Sequence, residues 1–139
     1  MTDATTRPAR TTTSGSDTRP PRAIDRAMGI VDLDVEAASL LGEPEWTDGG
    51  RNTRTLLATD RLRIALVALR GGASIGDEAT DDTLALEVIR GRVQLAGEIA
   101  PRDLRPREVL VLDRPHSWRL RALEESLVLL TTALDGVRS

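Results

Sequence analysis

The chain has 139 residues and a formal net charge of −3, and it contains two tryptophans but no phenylalanine, tyrosine or cysteine. Nucleic-acid binding needs a positively charged face, and single strands also need aromatic side chains for stacking, so this composition argues against a nucleic-acid partner. The absence of cysteine excludes disulfides, thiolate metal sites and cysteine nucleophiles. No apolar run approaches the roughly 20 residues of a membrane span and no secretory signal is present, so we expect one cytoplasmic domain without membrane contact.

The first segment, residues 1–22, is rich in Thr, Arg, Pro and Ser and has no hydrophobic periodicity. Such a composition buries too little apolar surface to offset the entropy of ordering, so it predicts a disordered N-terminal tail. Residues 23–52 form a lead-in segment that contains one short helix, predicted over residues 34–41. Asp34 is the predicted N-cap and Gly42 the predicted stop. The apolar residues of this helix recur on one face, which we expect to pack across the outside of a sheet.

Residues 53–135 have the pattern of a β-barrel. Residues 61–70 alternate along a predicted strand, with Arg63 on the same face as Ala65 and Val67. Further strands are predicted over residues 84–90, 92–95, 108–113, 118–123 and 127–133. Many short strands separated by turn residues are typical of a β-sandwich or a closed barrel, so the predicted fold class is mostly β.

Gly72 and Gly91 enclose a tract that ends in an apolar strand and a turn, Leu-Glu-Val-Ile-Arg-Gly. This tract resembles the first motif of the cupin family, which are small jelly-roll barrels of the double-stranded β-helix type. The motif runs glycine, five residues, His-x-His, three or four residues, glutamate, six residues, glycine. The two glycines match it. Its three metal-ligand positions hold Glu78, Thr80 and Leu84 instead.

A second tract begins at the turn Pro106-Arg107-Glu108, which is similar to the Pro-Gly-Asp turn of cupins. An ungapped alignment with the second cupin motif puts the metal histidine at Trp118. It also directs Trp118 and the residues that alternate with it inward, and Arg119 and Arg121 outward. A rival register uses His116, the only histidine of the chain, but it needs two residues deleted and two inserted. We favour the ungapped register.

The resemblance implies a cupin barrel from which the usual metal ligands have been replaced. A metal site needs three or four convergent ligands, so we expect no metal, no cofactor and no catalytic residue. The predicted role is non-catalytic binding of a small-molecule ligand, or regulation, and the resemblance also implies a homodimer. The residues expected to line the cavity are Glu78, Thr80, Leu84, Leu86, His116 and Trp118.

Three questions about these residues stay open at this point. Glu78 and His116 could form an unusual metal site of an isomerase or dioxygenase type, or His116 could act as a general acid or base beside Asp113 or Glu78. Against a metal role for Glu78, residues 77–82 are typical of a solvated acidic loop. Trp118 could be the wall of a ligand pocket or a plug that fills the space of the absent metal, and we favour the plug.

Overall fold

The computed structural model describes the backbone of residues 28–80, 82–97, 100–113 and 116–134, and their side chains except at residues 77–80 and 116. The predicted disordered tail, residues 1–22, lies outside the described residues. The described chain contains two helices followed by nine strands. No helix among the described residues is long and apolar enough to cross a membrane.

The strands form two antiparallel sheets. Their bounds are β1 Arg51–Ala58, β2 Leu62–Leu69, β3 Ser74–Thr80, β4 Thr83–Arg90, β5 Val93–Gly97, β6 Arg102–Leu104, β7 Val109–Leu112, β8 His116–Ala122 and β9 Ser126–Ala133. The five-stranded sheet has the order β1-β2-β9-β4-β7, and the four-stranded sheet has the order β3-β8-β5-β6. Strands adjacent in space are mostly distant in sequence, as in a jelly roll. The predicted mostly-β class is confirmed.

The inner faces of the two sheets enclose the main core, here called the inner cluster. Strand β4 shows how alternation builds it, because Leu84, Leu86 and Val88 are buried while Ala85 and Glu87 between them are only partly buried. Burying one such side chain fully stabilises the fold by about 1.5–3 kcal/mol. The inner cluster comprises Ala65, Val67, Leu69, Ile75, Leu84, Leu86, Val88, Val93, Leu95, Leu104, Leu112, Trp118, Leu120, Ala122, Val128 and Leu130.

The outer face of the five-stranded sheet carries α1 Leu33–Leu41 and α2 Pro44–Thr47, which pack against its β1 and β2 side. The prediction that a helix packs across the outside of a sheet is confirmed, and Gly42 is the C-cap. The buried residues of this second core, here called the outer cluster, are Ala37, Leu40, Trp46, Leu56, Leu66, Ala68 and Leu127.

The predicted N-cap of this helix is wrong. Asp32 is the cap, because its carboxylate accepts hydrogen bonds from the backbone N–H groups of Asp34 at 3.0 Å and Val35 at 3.2 Å. Asp32 has an extended backbone, whereas Asp34 lies in the first helical turn. A cap must stand outside the helix to reach the unpaired N–H groups of that turn, which Asp34 cannot do.

The acidic run over residues 77–82 is also not simply a loop. Its first four residues belong to β3, which pairs with β8 through Asp77 opposite Trp118 and Thr80 opposite His116. The strand β6 was not predicted either. Backbone pairing with a neighbouring strand fixes both segments, and their side-chain patterns give no period-2 signal.

The two glycines of the first cupin motif stand at turns that require glycine. Both have φ of +92°, a left-handed conformation that other residues rarely adopt. At Gly91 an added Cβ would also collide with the carbonyl oxygen of Glu125. Both glycines are therefore required by the backbone of the turns in which they lie.

Candidate binding site at one end of the barrel

At one end of the five-stranded sheet, five inward-facing side chains form a row across its strands. Directly paired residues of antiparallel strands point to the same face, and the pairs run Ala58 to Arg63, Arg63 to Thr132, Thr132 to Leu84 and Leu84 to Leu112. All five are buried. We call this row the end layer, because it is the last inward-facing row before these strands end.

Trp118 lies at the same end, on the four-stranded sheet. It is the third residue of β8, which follows the end of β7 after a short connection, and it pairs with Asp77 and Gly97. Its side chain is 5% exposed and belongs to the inner cluster, while Arg119 and Arg121 are exposed. The inward and outward directions given by the ungapped register are confirmed.

The structure brings together three of the six residues predicted to line a cavity. Leu84, Leu86 and Trp118 are all buried members of the inner cluster. Glu78 and Thr80 lie on β3 and His116 on β8, but their side chains are outside the description. A cavity-lining role for the six residues stays a prediction.

The metal centre of the family does not fit the residues at this end. Leu84 has no donor atom, and the indole of Trp118 offers only an N–H donor, so two of the four aligned positions cannot ligate a metal. Among the described side chains, no group of three or more His, Asp or Glu is placed to hold a metal ion.

The sequence reasoning did not select Arg63, although the structure places it in the end layer. It is 4% exposed and is the only buried cationic side chain in the part of the chain that the structure describes. Arginine keeps its charge at any ordinary pH, and Arg63 takes part in an interaction within the protein. The available signal was the alternation of its strand, which puts Arg63 on the inward face with Ala65 and Val67.

The rim above the end layer carries polar side chains that form hydrogen bonds. In the hairpin between β1 and β2, the hydroxyl of Thr59 accepts hydrogen bonds from the backbone N–H groups of Arg61 and Leu62, both at 3.0 Å. At the other side of the sheet, the hydroxyl of Thr83 donates to a carboxylate oxygen of Asp113 at 2.8 Å. These hydrogen bonds link the ends of the strands that surround the end layer.

A half-buried arginine on the opposite face of the same sheet has a structural role. Arg54 donates to Glu36 at 2.9 Å, to Ser39 at 3.0 Å and to Glu43 at 2.6 Å. Asn52 donates to the other carboxylate oxygen of Glu43 at 2.9 Å. Burial lowers the pKa of Arg54, but hydrogen bonds to the two carboxylates and their charges outweigh burial and raise that pKa above its ordinary value. This network fixes α1 and the residue before α2 to β1.

No protein-family model and no curated protein matches this chain. Solved structures do resemble it. A cupin superfamily protein from Desulfitobacterium hafniense is 23% identical over 61% of this chain and 78% of its own, with a TM-score of 0.56. A conserved protein of unknown function from Streptococcus pyogenes is 17% identical over 88% of this chain and 97% of its own, with a TM-score of 0.61. Salicylate 1,2-dioxygenase from Pseudoaminobacter salicylatoxidans is 12% identical over 74% of this chain and 32% of its own, with a TM-score of 0.63.

The sheet topology and these likenesses define the class of protein. The chain has the cupin fold, as the resemblance of its two motif tracts implied. Identities at this level show the fold alone, and the structures that share it include both an enzyme and a protein of unknown function.

Proposed function

We propose that this chain is a non-catalytic cupin-fold protein that binds a small molecule at the end-layer side of its barrel. The observation that carries the proposal is the burial of Leu84 and Trp118 where the resemblance assigns metal ligands. A cupin enzyme relies on a metal to activate its substrate, and neither side chain can donate an electron pair to one. Both side chains point into the barrel interior, where they are suited to contact a small-molecule ligand.

Metal analysis tests the non-catalytic part of the proposal. We expect the purified protein, dialysed against a chelator, to contain far less than one transition metal per chain. About one metal per chain, retained through dialysis and lost in His116→Ala, would overturn the proposal and make a metal-dependent enzyme the better reading.

Restoring the ligands tests the alignment behind the proposal. The combined change Glu78→His, Thr80→His, Leu84→Glu and Trp118→His should create measurable zinc or manganese binding, because it rebuilds a three-histidine and one-carboxylate set. Circular dichroism must first show that the variant folds. The matched control keeps Trp118 and carries the other three changes, and it should bind metal more weakly. Equal and negligible binding in both folded variants would reject the register.

A screen for ligands tests the binding part. Any small molecule that binds the folded state alone raises the melting temperature by mass action. We therefore expect a thermal-shift screen of metals and small metabolites to give a rise with at least one organic compound and none with a metal. A screen in which only a metal gives a rise would contradict both expectations.

One observation favours the enzyme alternative and keeps it worth testing. The β3 and β8 pairing sets the backbone of Thr80 opposite His116, which puts the only histidine of the chain on the strand next to that of Glu78. A site built on these two residues would be of the isomerase or dioxygenase type. Two ligands leave a metal mostly hydrated and weakly held, so the alternative predicts a metal that dialysis removes easily but that supports turnover when added back.

We also propose that two copies of the chain pair through β7, the edge strand of the five-stranded sheet. Val109 and Val111 on this strand are 58% and 59% exposed. An antiparallel pairing of two copies centred on Leu110 sets Val109 against the second copy's Val111, and Arg107 against its Asp113. Apolar and opposite-charge cross-strand pairs both stabilise such a contact, and an exposed apolar edge favours pairing.

The oligomeric state tests this surface. Analytical ultracentrifugation should find a dimer, and Val111→Lys should shift it to monomer. The matched control is Val35→Lys, because Val35 is similarly exposed at 61% but lies on α1. A dimer that survives Val111→Lys would refute pairing through β7.

A further inference from the structure

The outer face of the four-stranded sheet carries positive charge that its cross-strand neighbours do not neutralise. Arg119 and Arg121 are both exposed there, on β8. Their cross-strand neighbours are all uncharged, and they are Gly76 and Ala96 for Arg119, and Ser74 and Gln94 for Arg121. Opposite charges are the neighbours that stabilise charged side chains on a sheet. We call this surface the arginine face.

The other contacts of the arginine face leave its charge in place. Arg119 donates to the hydroxyl of Ser74 at 3.5 Å, and Arg51 donates to the backbone carbonyl of Ser74 at 2.8 Å, so a third guanidinium lies at the edge of this face. Both acceptors are uncharged. Among the described residues, no carboxylate forms an ion pair with these three arginines. The described acid in the row of Arg121 is Asp103, which accepts a hydrogen bond from the side-chain amide of Gln94 at 3.0 Å.

The opposite side of the molecule is acidic. Residues 28–50, here called the acidic segment, include α1 and α2 and contain six acids but no arginine, lysine or histidine. Two of the acids, Glu36 and Glu43, hold Arg54. The other four are exposed, and they are Asp32, Asp34, Glu45 and Asp48. Arg54 and Arg70 contact the segment from the sheet, and two positive charges against six negative ones leave it acidic.

The two charged surfaces lie on opposite sides of the barrel. The acidic segment packs on the outer face of the five-stranded sheet, the arginine face is the outer face of the other sheet, and the inner cluster lies between the sheets. One copy therefore cannot bring its own two surfaces together. We propose that the arginine face of one copy docks on the acidic segment of a second copy. The charge of each surface matches that of the other, and complementary charge favours encounter and fixes orientation.

The geometry of this contact differs from pairing through β7. Each copy uses two different surfaces, so the contact is heterologous, and every added copy leaves one arginine face and one acidic segment free. Such contacts build rings or open chains of copies. Exposed ion pairs contribute little each and are screened by salt, so we expect a weak association that is strongest at low ionic strength. The inference goes beyond the proposed function, because it concerns association of the chain and not its ligand.

The first experiment varies the salt concentration. Sedimentation equilibrium is measured on the full chain carrying Val111→Lys, so that pairing through β7 does not contribute. At about 20 mM NaCl the mean mass should rise with protein concentration, and the association constant should fall on the order of 10-fold at about 200 mM. A mass that stays at one chain in low salt, or an association that salt does not weaken, would overturn the inference.

The second experiment removes charge from each surface in turn. The variant Arg119→Gln with Arg121→Gln and the variant Asp34→Asn with Glu45→Gln should each weaken the low-salt association on the order of 10-fold, because each loses the charges of several exposed pairs. All four positions are exposed, and circular dichroism checks that both variants fold.

The matched control is Arg61→Gln with Arg90→Gln, which removes two exposed positive charges outside the arginine face. It should leave the association nearly unchanged. An equal loss in the control would show that net charge governs association. A loss in the arginine variant without a loss in the acidic variant would show that the arginine face meets a different acidic surface. Either result would overturn the proposed contact.

Mixing the two variants, both in the Val111→Lys background, tests the pairing of the surfaces. One variant keeps the acidic segment and the other keeps the arginine face, so a single contact can form and cannot extend. We expect a complex of one chain of each variant under conditions in which each alone is mostly monomeric. A mixture that stays monomeric while the parent chain associates would contradict the pairing of these two surfaces.

A short acidic peptide tests the other possible occupant. Hexaglutamate should compete with the second copy and lower the mean mass at low salt. Binding of hexaglutamate to a chain that does not associate with itself would assign the arginine face to another acidic partner and overturn the inference. If a charge variant does not fold, the salt series and this competition decide the inference on the Val111→Lys chain.

Discussion

On each side of the five-stranded sheet lie one buried tryptophan and one arginine withdrawn from solvent, but the two arginines have different surroundings. On the outer face, Arg54 is held by Glu36 and Glu43 at 2.9 and 2.6 Å, and both carboxylates come from the helical segment. On the inner face, Arg63 has the uncharged row neighbours Ala58 and Thr132, and it takes part in an interaction of its own within the protein. The outer arginine attaches a helix to the sheet, whereas the inner one stands in the apolar end of the barrel.

The tryptophans show the same contrast. Trp46 belongs to the outer cluster, and the guanidinium of Arg70 lies 4.9 Å from its ring centroid. Trp118 belongs to the inner cluster with aliphatic neighbours from both sheets. The outer pair thus forms a local cation–π contact at the surface, while Trp118 packs in the interior that holds the barrel together.

The largest expected effect comes from removing the inner tryptophan. Trp118→Ala should reduce the free energy of unfolding by about 3–5 kcal/mol, because it leaves a large cavity between two sheets that cannot both move inward. Trp46→Ala should cost less, roughly 2 kcal/mol, since Trp46 lies on a four-residue helix that can open locally.

Urea denaturation followed by fluorescence measures both losses, because each variant keeps the other tryptophan as a reporter. A loss at Trp118 smaller than that at Trp46 would contradict the plug and indicate that Trp118 lines an open or hydrated pocket. That result would strengthen the ligand-binding role and weaken the structural one.

The second effect is the loss of the outer arginine. Arg54→Met should cost about 2 kcal/mol, between the values for exposed and fully buried pairs, because the two carboxylates keep their charge and lose their partner. The variant Arg63→Met removes a guanidinium from the same sheet and serves as the comparison. Arg63 is 4% exposed and also takes part in an interaction within the protein, so Arg63→Met should cost at least as much stability, and a smaller loss than at Arg54 would show that the outer network stabilises the fold more than the inner arginine does.

The pH dependence of the Arg54 contribution follows from its raised pKa. A raised pKa in the folded state gives a stabilisation that is fully present below the ordinary arginine pKa and is lost only as the pH rises through the raised value. The stability difference between the native chain and Arg54→Met should therefore be constant from about pH 6 to pH 9. A difference that changes across this range would show that a group other than Arg54 titrates in the network.

Most of the fold could be predicted from the sequence, because alternation and turn residues mark it directly. The strand β2 was predicted from residues 61–70, and the inward face of β8 followed from the alternation around Trp118. The segments missed were the short helix α2 and the strands β1, β3 and β6, which are strands because a neighbour pairs with their backbones. Single-sequence patterns carry no signal for such pairing.

The candidate site was only partly predictable for a related reason. The motif positions led to Leu84 and Trp118, because they lie at a fixed spacing along the chain. Arg63 comes from a strand outside both motifs, and only the pairing of β2 with β9 and of β9 with β4 brings it into the same row as Leu84. The alternation showed which way Arg63 points but not what lies beside it.

The smallest expected effect is at the end of the barrel opposite to the end layer. It tests whether a change in stability alone alters binding. Arg107 has φ of +74° at the position where the related turn of cupins carries glycine, and its neighbour Glu108 accepts a hydrogen bond from the backbone N–H of Arg105 at 2.8 Å. A left-handed conformation costs a residue other than glycine about 1–2 kcal/mol, and glycine avoids this cost. Glycine also gives the unfolded chain more conformational entropy, which offsets part of the gain in stability. Arg107→Gly should therefore raise stability by about 0.5–1 kcal/mol, seen as a melting temperature about 2–4 °C higher.

The control Arg105→Gly, in the same turn without a positive φ, should lower the melting temperature. Because neither residue belongs to the inner or the outer cluster, the rise in melting temperature that a ligand gives should be equal in both variants, and a rise that follows the change in stability would mean that the thermal-shift screen reports on the fold instead of on binding.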